Sequence, residues 1–394
     1  MRSYHPVLAL SVLLSAVACT EDQSPTGPEG SAAPELGATA AATLVFQSIS
    51  AGDAHSCGVT TAKKAYCWGS NFVGALGDGG DFASNVPVAV AGGLLFKNVS
   101  AGFRYNCGVT TINKAYCWGE GNGKLGDGTS DFHDTPFPVT GGLNFRLVRA
   151  GINHTCGITT DDVAYCWGSN TKGQLGNFSH ISRPAPVRVG GGLHWQWISP
   201  GLDHTCGVTT THKAYCWGSN TQGQLGTSAV RVSKSSPAAV MGGLSIRDIE
   251  SGELYTCAVT TTTNRAYCWG MGASGQLGDG TQTTRVTPGP VSGSIQFKSV
   301  SAYSFYSCGI SMTGNGYCWG ASAQGNLGDG TINNHLTPTP VAGNITFLQI
   351  SAGEAHACGA SSTGRGYCWG DNHAGRLGDG GTSRQLAPVP VSGS

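Results

Sequence analysis

Four histidines in this chain, His55, His154, His204 and His356, each stand two residues before a cysteine. A His-x-Cys pair offers imidazole and thiolate donors of the kind that hold zinc. The same cysteines are open to a second chemistry. Fourteen of the fifteen fall into seven pairs: Cys57 and Cys67, Cys107 and Cys117, Cys156 and Cys166, Cys206 and Cys216, Cys257 and Cys268, Cys308 and Cys318, Cys358 and Cys368. In the other three copies the histidine slot holds Tyr105, Tyr255 and Tyr306. A position that exchanges His for Tyr reads as a packed, hydrogen-bonded aromatic rather than a ligand. No metal is therefore expected there, and the cysteines are left to pair with one another.

Other candidates for chemistry fall to similar reasoning. The Leu-Gly-Asp-Gly-Thr runs at Asp127, Asp279 and Asp329 suggest calcium loops but lack the alternating acidic ligands such loops need. Thr227 replaces the aspartate in one copy. They read as turns. Seven tryptophans (68, 118, 167, 217, 269, 319, 369) recur inside a strand pattern. That regularity means packing more than a ligand cage. No paired carboxylates, Ser-His-Asp order or HExxH motif is present. Asp53, Asp203, Glu253 and Glu354 are the only acids that could serve a hydrolase. The expectation is a non-enzyme without a cofactor.

The elements that carry these residues repeat every 49 to 51 residues from one cysteine pair to the next, which signals a repeat architecture. In the copy Cys206 to Gly226 (CGVTTTHKAYCWGSNTQGQLG) the two cysteines are symmetric about a polar turn, so they lie opposite each other across a hairpin. Antiparallel partners stand about 4.5–5.5 Å apart at Cα, within disulfide reach. The fifth copy places its one extra residue in the loop Thr261–Arg265, which keeps Cys257 and Cys268 opposed. Seven intra-hairpin disulfides follow. A short strand precedes each hairpin, such as Trp195 to Ser199, whose alternation sets Trp195, Trp197 and Ser199 on one face. A Pro-Val strand such as Pro186-Val187 follows, and its proline suits an outer edge. Four short strands per copy, seven copies and no terminal cap predict an all-β fold, a seven-bladed β-propeller whose two ends meet.

The chain has 394 residues, of which 62 are Gly, roughly twice the usual share of about 7%. Acidic and basic residues balance at 22 each, so no global field draws in nucleic acid. Dense cysteine pairing argues for an oxidising compartment. The N-terminus agrees: Met1-Arg2, an apolar run Val7 to Ala18 too short to span a bilayer, then Ala16-Val17-Ala18 before Cys19. This resembles the lipobox of bacterial lipoproteins, in which the cysteine is lipidated. That resemblance implies residues 1–19 as signal peptide, Cys19 as lipidation site, and an outer-membrane or cell-surface address. The alternative is an ordinary secretory signal and a secreted protein. Residues 20–43 are Pro-, Gly-, Ala- and Ser-rich and read as a disordered tether. Its span is roughly 25–30 Å, and the propeller occupies 44–394.

The repeated pattern Ala-Gly-x-x-His-x-Cys-Gly-Val-Thr, Tyr-Cys-Trp-Gly and Asn-x-x-Gly-Gln-Leu-Gly-Asp-Gly-Thr over residues 44–394 resembles the regulator of chromosome condensation family. The resemblance implies a seven-bladed propeller. The family's eukaryotic founder is a chromatin-bound guanine-nucleotide exchange factor, and an exchange activity is the alternative function it implies. An exported protein would not meet a cytoplasmic GTPase. Secreted bacterial relatives include an enzyme inhibitor that grips β-lactamases with one propeller face.

Binding belongs where copies differ, because the invariant positions build the scaffold. One variable zone precedes each His/Tyr slot and holds Phe103, Arg104, Leu254, Tyr303 and Phe305. The other follows Leu-Gly and holds Phe82, Phe132 and Phe178. The expected role is a non-enzymatic binding scaffold for an extracytoplasmic protein or glycan, with a monomeric head and a lipid anchor in the membrane.

Overall fold

The computed structural model describes residues 43–394. Cys19, the signal segment and all but the last residue of the tether lie outside the described residues. The first copy forms four strands, Phe46–Ala51, His55–Thr60, Ala65–Gly69 and Ser84–Ala89, paired in that order as one antiparallel sheet. Six more sheets repeat it, spanning Phe96–Pro138, Phe145–Arg188, Trp195–Ala239, Ile246–Pro290, Phe297–Pro340 and Phe347–Pro390. They are blades 1 to 7 of an all-β propeller. The first strands of adjacent blades touch one another around the central channel, while the proline-bearing fourth strands form the outer edge.

Strict alternation fails in the first strands. A β-bulge between Trp195 and Trp197 shifts the register by one residue. Trp195 and Ile198 therefore face the core, and Trp197 turns toward the channel, which corrects the expected Trp195–Trp197–Ser199 face. The same bulge recurs at Phe46/Ser48 and Phe96/Asn98, where the apolar residues stand three apart. A bulge kinks the strand and increases its twist, here where seven strands must close a ring.

The core lies between blades, not within them. Cys57, Val59, Ala65 and Leu76 of blade 1 pack on Phe96, Val99 and Trp118 of blade 2. Blade 7 meets blade 1 in the same way: Phe46, Ile49, Ala51 and Trp68 cover Cys358, Ala360, Leu377 and Val391. Each Leu-Gly glycine stands against the next blade's tryptophan. A Cβ on Gly328 would lie 2.6 Å from Trp369, and one on Gly378 would lie 2.7 Å from Trp68, so the contact crosses the seam unchanged. The chain ends also pair, Leu44 donating its N–H to the Gly393 carbonyl.

All seven expected disulfides are formed, each between the second and third strands of one blade. Cys57 bonds to Cys67 in blade 1, Cys107 to Cys117 in blade 2, and Cys156 to Cys166 in blade 3. Cys206 bonds to Cys216 in blade 4, and Cys257 to Cys268 in blade 5. Cys308 bonds to Cys318 in blade 6, and Cys358 to Cys368 in blade 7. Their Cα–Cα distances are 4.0–4.1 Å, shorter than the 4.5–5.5 Å expected for opposed strands. The partners face each other directly in the hairpin register, and in blade 5 the extra residue sits in the loop as expected. Both sulfurs of every pair are fully buried.

The His/Tyr slots are latches between blades. His55 Nε2 is 2.9 Å from Asn106 Oδ1, His204 Nε2 is 3.0 Å from Thr256 Oγ1, and His356 Nε2 is 2.8 Å from Ser56 Oγ. Tyr105 donates its hydroxyl to the His154 carbonyl at 2.9 Å, and Tyr306 does so to the His356 carbonyl at 2.6 Å. Burial lowers the basicity of the imidazoles, to about 3 for His154 and His204.

Candidate functional site: the loop-rich face and the channel

A four-stranded meander sends its first-to-second and third-to-fourth connections out at the same end. The two variable zones, separate in sequence, therefore share one face of the ring. The first-to-second loops surround the channel mouth and the third-to-fourth loops form the periphery. The outer residues Phe82, Phe132 and Phe178 are 83%, 60% and 68% exposed, and Phe305 of the inner set is 40% exposed. Phe103, Arg104, Leu254 and Tyr303 are half-buried among the inner loops. Phe72, which the variable zones did not include, joins them at 62% exposure. Blades 3 to 7 hold Thr171, Thr221, Ala273, Ala323 and His373 at its place, so its size was the one sign it gave in the sequence.

The apolar side chains are distributed unevenly. Phe72, Phe82, Phe132, Phe178, Ile181, Val230 and Val232 trace an arc over blades 1 to 4, while the peripheral loops of blades 5 to 7 expose only Ile332 among large hydrophobics. The opposite face exposes Val45, Leu95, Ile112, Met241 and Met312 in its connections and no phenylalanine. Arg104 stacks its guanidinium over Phe72 at 5.4 Å and Phe103 at 5.0 Å, 3.6 Å from Asp53. A pocket of about 360 Å³ opens there, lined by Asp53, Ser70, Phe72 and Arg104. Phe132 borders a second one of about 510 Å³ with Val73, Asp81 and Asp134.

At the mouth the backbone draws in tightly. Asp53, Phe103, Ile152 and Glu354 donate their N–H groups to the glycine carbonyl of the next inner loop, at 3.1–3.2 Å. A Cβ on Gly102 would come within 2.5 Å of the Gly151 oxygen, so a side chain does not fit. Blade 6 alone carries a tyrosine, Tyr303, where the others have glycine. Its ring is held in the mouth and its hydroxyl is buried without a hydrogen-bond partner. Glu354 hydrogen-bonds to Asp53, and that bond, with burial and the Asp53 charge, pushes its carboxyl up to about 8. Burial also raises Glu253, against a hydrogen bond from Ser304.

Inside the channel, one position of the first strand reads Ser50, Ser100, Arg149, Ser199, Glu250, Ser301 and Ser351 around the ring. Five serines take the next blade's N–H, as Ser50 does from Ala101 at 3.0 Å and Ser351 from Ala51 at 3.0 Å. Arg149 cannot accept, and the next blade offers Pro200, which has no N–H to give. Arg149 instead crosses blade 4, stacking 5.0 Å over Trp197, and donates to Glu250 at 2.6–2.7 Å. Ser199 and the Trp197 indole also donate to Glu250, at 3.0 and 3.3 Å. Asp248 lies beside it, its carboxyl raised by burial and by the Glu250 charge. Arg149, Trp197, Asp248 and Glu250 line a cavity of about 340 Å³. The sequence did carry a signal for them: Arg149 and Glu250 are the two charges in a row of serines.

Asp53, Glu253 and Glu354 surround the mouth, but among the described residues no three His, Cys, Asp or Glu side chains converge as a metal site. The loop aspartates are used by their own turns: Asp127 takes the Thr129 N–H at 2.9 Å and pairs with His133 Nε2 at 2.8 Å.

The description regulator of chromosome condensation (RCC1) repeat belongs to both family models that match the chain. One covers residues 46–75, 145–174, 198–224 and 347–376, the other 161–208, 212–259, 264–310 and 313–360. No curated protein sequence matches. Among solved structures, human WBSCR16 is similar at 20% identity and a TM-score of 0.74, covering 84% of this chain and 94% of that one. A chain in the structure of Kap60 bound to yeast RCC1 (Prp20) is similar at 18% identity and a TM-score of 0.72, covering 96% and 91%. The ectodomain of the Arabidopsis thaliana receptor kinase ACR4 is similar at 20% identity and a TM-score of 0.54, covering 82% and 96%. At these identities the likeness is one of fold.

Proposed function

The chain belongs to the regulator of chromosome condensation (RCC1) repeat family, and on that premise we propose that it is a non-enzymatic protein-binding scaffold working outside the cytoplasm. The observation that carries this reading is the one-sided arc of exposed phenylalanines on the loop-rich face. Large exposed apolar side chains grouped on one surface mark a protein interface, and aromatic anchors dominate the energy of such interfaces. Seven disulfides support an oxidising location. Lipidation at Cys19 would hold the ring at the outer membrane or cell surface. The complex of Kap60 with yeast RCC1, which contains a ring of this fold, supports a role in engaging a protein.

The test uses purified full-length protein against extracts of its own cell envelope. Wild type should retain a partner that the Phe72→Ser/Phe132→Ser/Phe178→Ser variant retains at least about tenfold less, a loss of roughly 1.4 kcal/mol. Equal retention by the two removes this face from the proposal. The N-terminal peptide of the native protein should carry acyl chains on Cys19, and Cys19→Ala should release the protein from the membrane fraction. An unmodified Cys19 leaves a secreted scaffold in place of an anchored one.

A further inference from the structure

We infer that the channel mouth on the loop-rich face receives a basic side chain, Arg or Lys, from the protein partner. This deepens the binding role proposed above and rests on it. The first-to-second loops carry four acidic side chains, Asp53, Asp203, Glu253 and Glu354, against the single basic one, Arg104, in a chain whose charges balance overall; the proton held between Glu354 and Asp53 leaves them a net charge of −2 (1 − 3) at neutral pH. The neighbouring cations are already engaged. Lys124 holds Glu120 at 2.6 Å, Arg376 holds Asp371 at 3.1 Å, and Arg104, stacked on two phenyl rings, holds Asp53 at 3.6 Å. Asp203 is met by the neutral donors Asn153 and Gln174, both at 3.2 Å. Glu253 and Glu354 form no ion pair among the described residues.

Tyr303 supplies the second, independent observation. It replaces the glycine of the other six inner loops, its ring is held in the mouth, and its hydroxyl is buried with nothing to bond. A buried hydroxyl without a partner is costly unless a ligand completes it. Glu253 lines the same opening as that phenol, and Glu354 stands on the adjoining inner loop of blade 7, its N–H bonded to the Gly52 carbonyl at 3.1 Å. Their spacing does not suit a bare metal ion. A guanidinium or ammonium on an apolar stem matches instead. The tip donates to Glu253, Glu354 and the Tyr303 oxygen, and the stem lies along the half-buried Leu254 and the exposed Phe305. The flanking phenylalanine arc then covers the rest of the partner and keeps water from the pair.

The experiment is selection of a random displayed peptide library on purified full-length protein. The selected peptides should share an Arg or Lys flanked by apolar residues. Their affinity should fall about tenfold or more for Glu253→Gln/Glu354→Gln, and should weaken with salt in wild type but not in that variant. Tyr303→Phe removes one partnerless oxygen, so it should leave thermal stability unchanged or raise it while lowering affinity severalfold. Peptides without a basic residue, or peptides that bind the double variant as tightly, overturn the inference. If those peptides still require Phe72, Phe132 and Phe178, the binding face stands and only its acidic receptor falls. Failure to select any peptide that depends on either set removes both.

Discussion

His204 shows how one side chain serves this ring. Its imidazole is fully buried, bonded through Nε2 to Thr256 of the next blade, and burial holds its pKa down to about 3. Above pH 6.5 it is neutral whether the chain is folded or not. Below that, the unfolded chain takes up a proton that the folded one refuses until about pH 3, so stability drains away across that window. The slope is about 1.4 kcal/mol per pH unit for each such histidine. Glu354 works in the opposite sense: held protonated up to about pH 8 by its bond to Asp53, it weakens the fold as pH rises from the unfolded-state value toward 8. His204→Gln keeps a donor to Thr256 and removes the titration. Denaturant unfolding at about pH 6 and pH 4.5, inside that window, should show a flatter dependence for this variant than for wild type. Identical slopes would show that the imidazole does charge inside the fold.

The hairpin with its disulfide is the element from which each blade is made. In blade 4 Cys206 and Cys216 face each other directly, and their sulfurs lie in the core shared with the next blade. Closing a loop of this length confines the unfolded chain by about 3 kcal/mol in the loop-entropy account. Cys206→Ala/Cys216→Ala should therefore lower unfolding free energy by about 2–3 kcal/mol without loss of the ring, read by denaturant titration. The spacing of the cysteines made this pairing legible in the sequence, because a hairpin register is local. The first strand was less legible. The three-residue spacing of Phe46 and Ile49, and of Phe96 and Val99, was a visible sign of the bulge, but Trp195 and Trp197 mimic simple alternation and conceal it.

At the scale of the whole molecule, two contacts test closure. Gly328→Ala and Gly378→Ala each press a methyl group into a tryptophan at a positive φ, and should each destabilise by about 2–4 kcal/mol. Equal effects mark a ring in which the blade 7–1 seam is as tight as any other. A far smaller effect for Gly378→Ala, by thermal unfolding, would mean the seam is open. Arg149 spans from blade 3 to blade 5, and removing it strands Glu250. Arg149→Ser should cost about 1–3 kcal/mol, discounted for partial exposure. Adding Pro200→Ala and Glu250→Ser restores the serine-to-N–H pattern of the other blades and should recover most of that loss. If the triple variant is no more stable than the single one, the exchange of charges for hydrogen bonds is not what holds these blades.

The repeat, the blade and the sulfur pairing follow from sequence alone, because each is set within about fifty residues by strand pattern, turn chemistry and hairpin register. Which side chains share a surface does not. Asp53 and Glu354 meet at the seam although one belongs to the first blade and the other to the last, and Arg149 reaches Glu250 across 101 positions. Phe305 of an inner loop and Phe178 of an outer one share a face only because a meander returns alternate loops to the same end. Those neighbourhoods are created when the ring closes, since curvature and bulges, not distance along the chain, decide what points into the channel and what stands around its mouth.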